Sequence, residues 1–186
     1  MSDHKTPRLI KKIALIQMCR ENINWSDLGL GLSCLKAYVD QQRPGSFDIR
    51  IYRSTDFQKN CGQEKFDLVG ISTVSHYYKI AQTLADWVRR NRISPLIVLG
   101  GPHITCAPES LTDCFDFGVV GEGEQTFLDL LDGLSSGQSV GDLAVIPGLL
   151  SWQNGHSILS AKRPLMENLN SLPVPDLSYF KECGAI

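Results

Sequence analysis

The chain has 186 residues, of which 42% are hydrophobic and 20% charged, enough for one full core and little more. A formal net charge of −2 leaves no basic footprint for nucleic acid or an anionic membrane, and no apolar run approaches the roughly 20 residues of a membrane span. The start lacks the apolar core of a signal peptide, and six scattered cysteines, with no CxxC and no zinc-like pairing, fit a reducing cytosol.

Residues 12–18 (KIALIQM) read as a first strand, followed by a loop without apolar period. Leu28, Leu32, Leu35 and Val39 recur at helical spacing, which predicts a helix over 28–40 before the Pro44-Gly45 break. Residues 47–52 (FDIRIY) alternate apolar and polar, as an edge strand does. Residues 54–65 are polar and read as a helical turn and a loop. Residues 66–72 (FDLVGIS) read as a central buried strand, and Ala81, Leu84, Ala85 and Val88 mark one face of a helix over 78–92. Residues 96–100 form the next strand, Pro108-Glu109 opens a short helix, and 117–121 is another strand. Phe127, Leu130, Leu131 and Leu134 define the helix after it. Strands and helices alternate, so the expected fold class is α/β, a Rossmann-like (flavodoxin-like) doubly wound parallel sheet.

The pattern changes after a loop over 135–142. Residues 147–152 and 156–161 flank Gln153-Asn154-Gly155, a hairpin signal, and Leu172-Pro173-Val174-Pro175-Asp176 reads as an extended, semi-rigid linker. This division predicts a ligand-binding domain over 10–143, then over 144–186 a C-terminal β-hairpin and a linker toward a second domain absent from this chain.

In open α/β sheets, ligands bind at the carboxyl ends of the strands. Gly100-Gly101 and Gly121-Glu122-Gly123-Glu124 fall there, where missing side chains let a large ligand approach the backbone or, on the plainer reading, simply form turns. Ser72-Thr73-Val74-Ser75-His76 follows the central strand; its hydroxyls can bond a ligand or cap the next helix. His103, after Pro102, can face a ligand as a donor or acid/base, or bond a loop carbonyl. Glu122 and Glu124 can accept from a cofactor or complement a helix dipole. The first turn lacks GxGxxG, since Gly29-Leu30-Gly31 has no glycine three residues on, and there is no Walker loop. No triad or carboxylate pair stands out, so no catalytic or metal-ligating residue is assigned.

The segments VGISTVSHYYKIAQTLADWVR, IVLGGPHITCAPE, FGVVGEGEQTFLDLL, IPGLLSWQNGHSI and LNSLPVPDLSYF, in that order, resemble the N-terminal cobalamin (vitamin B12)-binding part of cobalamin-dependent radical SAM enzymes. The resemblance covers about residues 10–180. It implies cobalamin at the carboxyl edge, with its nucleotide tail beside the sheet and contacts from Ser72-Thr73-Val74, in place of the wider group's Ser-x-Leu, and from Gly100-Gly101. The wider group's Asp-x-His-x-x-Gly is missing, and residues 19–31 contain no histidine, which agrees with base-off binding without a histidine on cobalt. Cys19 or Asn24 of that loop could face the metal or, on the plainer reading, each is simply buried or solvent-facing. The radical SAM triple Cys-x-x-x-Cys-x-x-Cys is also missing. The resemblance therefore implies a cytoplasmic cobalamin module whose [4Fe-4S] cluster and S-adenosylmethionine belong to a C-terminal radical SAM partner domain, in a methyltransferase or ring-forming enzyme. The alternatives are a non-catalytic flavodoxin-like interaction or sensor domain that has lost its ligand, with its edge filled by side chains, and an enzyme using another nucleotide-like cofactor there.

Overall fold

The computed structural model describes residues 10–19, 29–61 and 64–178. His4, Asn24, the expected helix start at Leu28, and Cys183 lie outside the described residues.

Seven strands form one sheet: β1 (Lys12–Gln17), β2 (Asp48–Arg53), β3 (Leu68–Ser72), β4 (Ile97–Gly100), β5 (Phe117–Val119), β6 (Leu149–Gln153) and β7 (His156–Leu159), in the order β2-β1-β3-β4-β5-β6-β7. The first five run parallel, in the flavodoxin-like 2-1-3-4-5 order with its switch point between β1 and β3. The helices are α1 (Leu30–Gln42), α2 (Ser54–Asn60), α3 (Tyr78–Arg90), α4 (Pro102–Cys106), α5 (Gly123–Ser135) and α6 (Val140–Leu143).

Strand alternation divides the core in two. Ala14, Ile16, Val69, Ile71, Ile97 and Leu99 pack on one face with Phe57 of α2, the apolar stripe of α3 and Ile104 of α4. Ile13, Leu15, Leu68, Val98, Phe117 and Val119 face the other way, toward α1 and α5. The Tyr38 hydroxyl donates to Gln125 Oε1 at 2.6 Å, and Arg43 pairs with Asp132 at 2.6 Å, so α1 and α5 are tied together along their length.

Several expected boundaries move for visible reasons. β3 begins at Leu68 because the Phe66 amide bonds to the Ile93 carbonyl instead of the β1 ladder. The ambiguous stretch after β2 closes into α2 around buried Phe57. The short helix expected at Pro108 starts instead at Pro102, and Pro108–Ser110 is a single 3-10 turn. The loop after α5 contains α6, whose Ser139 and Asp142 form a reciprocal capping box.

The hairpin is part of the sheet. β6 pairs antiparallel with β5, placing Gly118 opposite Leu150, and so covers what would be an open parallel edge. Asn154 (φ 52°) and Gly155 (φ 85°) make the two-residue turn, both in the left-handed region that a hairpin of this twist requires. The linker is docked instead of free. Met166 and Leu172 pack on the α1/α5 core, the Met166 amide donates to Glu122 Oε2 at 2.7 Å, and Asp176 pairs with Lys36 of α1 at 2.8 Å.

Candidate functional site: a glycine-hollowed cleft at the carboxyl edge

On the α1/α5 face, sheet register aligns two rows of residues. Leu15, Gly70 and Val98 lie side by side, and one step toward the carboxyl edge Gln17, Ser72 and Gly100 do the same. Two of these six positions have no side chain and a third has only a hydroxymethyl group. The Leu15 side chain fills the place of a Gly70 Cβ, while the Gly100 position stays open, so the sheet is hollow at its carboxyl edge, where α1 and α5 begin. Under their amino-terminal ends lies a cleft of about 470 Å³, within the roughly 300–1,000 Å³ usual for small-molecule sites. Gly29, Leu30 and Gly31 form one wall, Gly121 to Glu124 with Phe127 the opposite wall, and Val74 and Pro102 the rim toward the strand ends.

The glycines do different work. A Cβ at Gly100 would meet nothing within 4 Å, so its missing side chain is space left for something else; Gly31 and Gly121 are also uncrowded but exposed, and Gly121 is held at φ +80°, which itself calls for glycine. Gly101 serves the backbone. Its φ is +94°, and a Cβ there would lie 2.8 Å from Ser72 Oγ and 2.9 Å from the Thr73 amide. The Thr105 hydroxyl on α4 donates to the Gly101 carbonyl at 3.0 Å and accepts from the Gly121 amide at 3.1 Å, so one side chain holds both glycine loops in position.

Of the residues expected from sequence, Ser72, Val74, Gly100, Gly101, Pro102, Gly121, Glu122, Gly123 and Glu124 line the cleft. Thr73 does not. It is fully buried, with its hydroxyl on the Val74 carbonyl and its amide on the Gly100 carbonyl. Ser75 and His76 are exposed in a 3-10 turn (Ser75–Tyr77) just beyond Val74, with His76 edge-on to Tyr77. His103 turns away: Pro102 faces the cleft, but α4 carries the next ring to the opposite side of the sheet. There it stacks on Tyr78 with centroids 4.0 Å apart, its Nδ1 3.0 Å from Ser75 Oγ and its Nε2 2.9 Å from Ser110 Oγ. Burial pushes its pKa below the ordinary value, opposed by the Glu109 carboxylate. Glu122 is committed to the linker through Met166, while Glu124 stays on the wall, where its charge and, more strongly, burial raise the pKa of Cys34. Cys19 is buried, its amide donating to Ser54 Oγ at 3.1 Å. Among the described residues no group of three or more His, Cys, Asp or Glu gathers as for a metal ion, and no helix is long and apolar enough to cross a membrane.

The sequence reading missed Gly29, Gly31 and Gly70. The first two were visible as a glycine pair entering a helix after the first strand, but they do not fit a phosphate-binding template and were set aside with it. Gly70 sits inside an apolar run, and only register reveals that it faces the ligand side.

The B12 binding domain model matches residues 28–131, which takes in α1, most of α5 and every residue lining the cleft except Leu15 and Gln17 of β1. The chain belongs to the B12 binding domain family. It is 37% identical over 156 residues to the uncharacterized methyltransferase PH0819 of Pyrococcus horikoshii, a match covering 78% of this chain and 32% of that protein. Its fold is similar to that of the radical S-adenosylmethionine methyltransferase TsrM from Kitasatospora setae, solved with cobalamin and a [4Fe-4S] cluster bound. The TM-score is 0.65 at 17% identity, over 89% of this chain and 31% of that one. The chain thus spans about a third of the length of either protein. As a B12 binding domain it has, at the carboxyl edge of its sheet, a concave site of the size usual for small-molecule ligands. The walls are mostly glycine and apolar side chains, with Gln17, Ser72, Glu122 and Glu124 as the polar groups, and the strand-end position Gly100 lacks the Cβ that would fill the space.

Proposed function

We propose that this domain holds cobalamin base-off, with the nucleotide tail in the cleft between the sheet and the amino ends of α1 and α5 and the corrin over the strand ends near Val74 and Pro102. The observation that carries this reading is Gly100, a strand-end residue whose absent side chain opens into the cleft. The lack of any histidine in residues 19–31 favours a base-off mode without a histidine from that loop on cobalt. Bound there, cobalamin supplies a cobalt centre able to carry a methyl group.

The domain serves a radical SAM partner domain that holds a [4Fe-4S] cluster and S-adenosylmethionine, in a methyltransferase or, as the second choice, a ring-forming enzyme. The supports are the methyltransferase relative, the ligands of TsrM, and the missing cysteine triple in this sequence. This chain's share is binding and orientation. Ser72 and Gly100 make room for the tail, Leu30, Leu35 and Phe127 exclude water from it, and Thr105 ties the two glycine loops in position. A domain that had lost its ligand would fill the edge with side chains, contrary to the open space beside Gly100.

The test is optical. The chain mixed with hydroxocobalamin and desalted should retain a corrin absorbance near one equivalent. The Gly100→Leu variant, folded by circular dichroism, should retain almost none. Equal retention by both proteins would refute the cleft as the site, and no retention by the folded parent chain would refute cobalamin binding.

A further inference from the structure

Ser75 and His103 lie outside the cleft walls, yet Ser75 directly follows the rim residue Val74 and is bonded to His103 behind it, in an arrangement that sets the proton directions of the neutral ring. Ser110 has one hydroxyl hydrogen. Its Oγ is 2.7 Å from the Ala107 carbonyl, which can only accept, and 2.9 Å from His103 Nε2. Both contacts are hydrogen bonds only if Ser110 donates to the carbonyl and accepts from Nε2–H. In the neutral ring Nδ1 is then bare, so Ser75, whose Oγ is 3.0 Å away, must donate to it. The Ser75 hydroxyl thus spends its proton inward and leaves its lone pairs toward solvent. Ser75 is exposed and directly follows Val74 of the cleft wall.

We propose that His103 is a positioning residue that locks Ser75 as an outward-facing acceptor, and that this oxygen receives an N–H from one of the peripheral primary amides of the bound corrinoid. The proposal rests on the cobalamin reading above. Corrinoids carry acetamide and propionamide arms around the ring, and an acceptor-only hydroxyl at the rim separates an amide, which has N–H groups to give, from a carboxylate, which has none. The ring is held for this task on three sides, by Tyr78 stacked at 4.0 Å, by Ser110, and by Ser75 itself. The Tyr78 hydroxyl in turn donates to the Ser110 carbonyl, and Glu109 is the charged group acting on the ring. Protonation of the ring would make Nδ1 a donor, turn the Ser75 hydrogen outward and reverse the preference.

Two measurements on the 186-residue chain test this. The first is the nitrogen-15 chemical shift pair of His103, which should report the Nε2–H tautomer at neutral pH; an Nδ1–H tautomer would overturn the proposal, whatever the protein binds. The second compares hydroxocobalamin with its positional monocarboxylates, each with one arm hydrolysed. At least one should bind about tenfold more weakly than the parent, Ser75→Ala should shrink that gap to about twofold, and Ser75→Thr, which keeps the hydroxyl, should restore it. A gap that survives Ser75→Ala, or no gap for any monocarboxylate, would overturn the proposal while leaving cobalamin binding intact. If the parent chain retains no corrinoid, the cobalamin reading fails first and the proposal with it.

Discussion

The two faces of the sheet are built from neighbouring residues and do opposite jobs. Toward α3, the strand-end rows are Ile16, Ile71 and Leu99, with exposures of 0%, 1% and 0%, and nothing but side chains fills the interface. Toward α1 and α5, one residue further along each strand, they are Gln17, Ser72 and Gly100, and the interface opens into the cleft. Stability is concentrated on the first face and ligand space on the second. In a close-packed interior a vacancy of this size forfeits contacts, so a sequence keeps it only where a ligand or another segment fills it.

Adjacent substitutions should separate the faces. Leu99→Ala leaves a cavity on the packed face and should lower unfolding free energy by about 2–5 kcal/mol, read from denaturant midpoints. Gly101→Ala should cost about 1–3 kcal/mol, because it strains a left-handed backbone and pushes a methyl group against Thr73. A loss below about 0.5 kcal/mol would mean that the loop is not held as described. Gly100→Leu, between them in the chain, should change stability by no more than about 0.5 kcal/mol while abolishing corrin retention. If it unfolds the domain instead, the two faces are not separable.

A smaller effect is set by pH. Because burial lowers the pKa of His103, the folded state binds its proton less readily than the unfolded chain. Its share of stability is complete above the unfolded value of about 6.5 and declines as pH falls below it. His103→Gln should flatten the fall in denaturant midpoint between pH 7.5 and 5.5 relative to the parent; parallel profiles would show that the ring titrates as freely as in the unfolded chain. Smallest of all, Lys36→Ala should cost from a few tenths to about 1 kcal/mol, and less at high salt. The Lys36 ammonium, with help from Ser178, holds Asp176 down at about 2, so this ion pair contributes above the ordinary carboxylate pKa and is lost only as pH falls through about 2. The check is thermal unfolding at low and high ionic strength, where a variant indistinguishable from the parent in both would make the pair inert.

The contrast between faces also explains what could be read without coordinates. The strands announce themselves because apolar runs such as Ile97–Gly100 and Phe117–Val119 stop abruptly at glycine, and a ligand edge follows from where they stop. The Asn154-Gly155 turn is local chemistry, hence legible, whereas the pairing of β6 with β5 is a long-range choice that no local pattern encodes. Gly70 looks like any small residue in a buried strand until register sets it between Leu15 and Val98. His103 follows a Gly-Gly-Pro run that does reach the cleft, but one turn of α4 is enough to carry its ring to the other side. Which way a side chain points was the part of the site least available from sequence.

The docked linker has a mechanical consequence. Residues 163–176 are fastened at three points: Arg163 on Thr126 and Asp129 of α5, the Met166 amide on Glu122, and Asp176 on Lys36 of α1. The segment therefore lies along a path across the two helices that wall the cleft, with one fastening, Glu122, in the cleft itself. A ligand that shifts the amino end of α5 would therefore pull directly on the Met166 fastening.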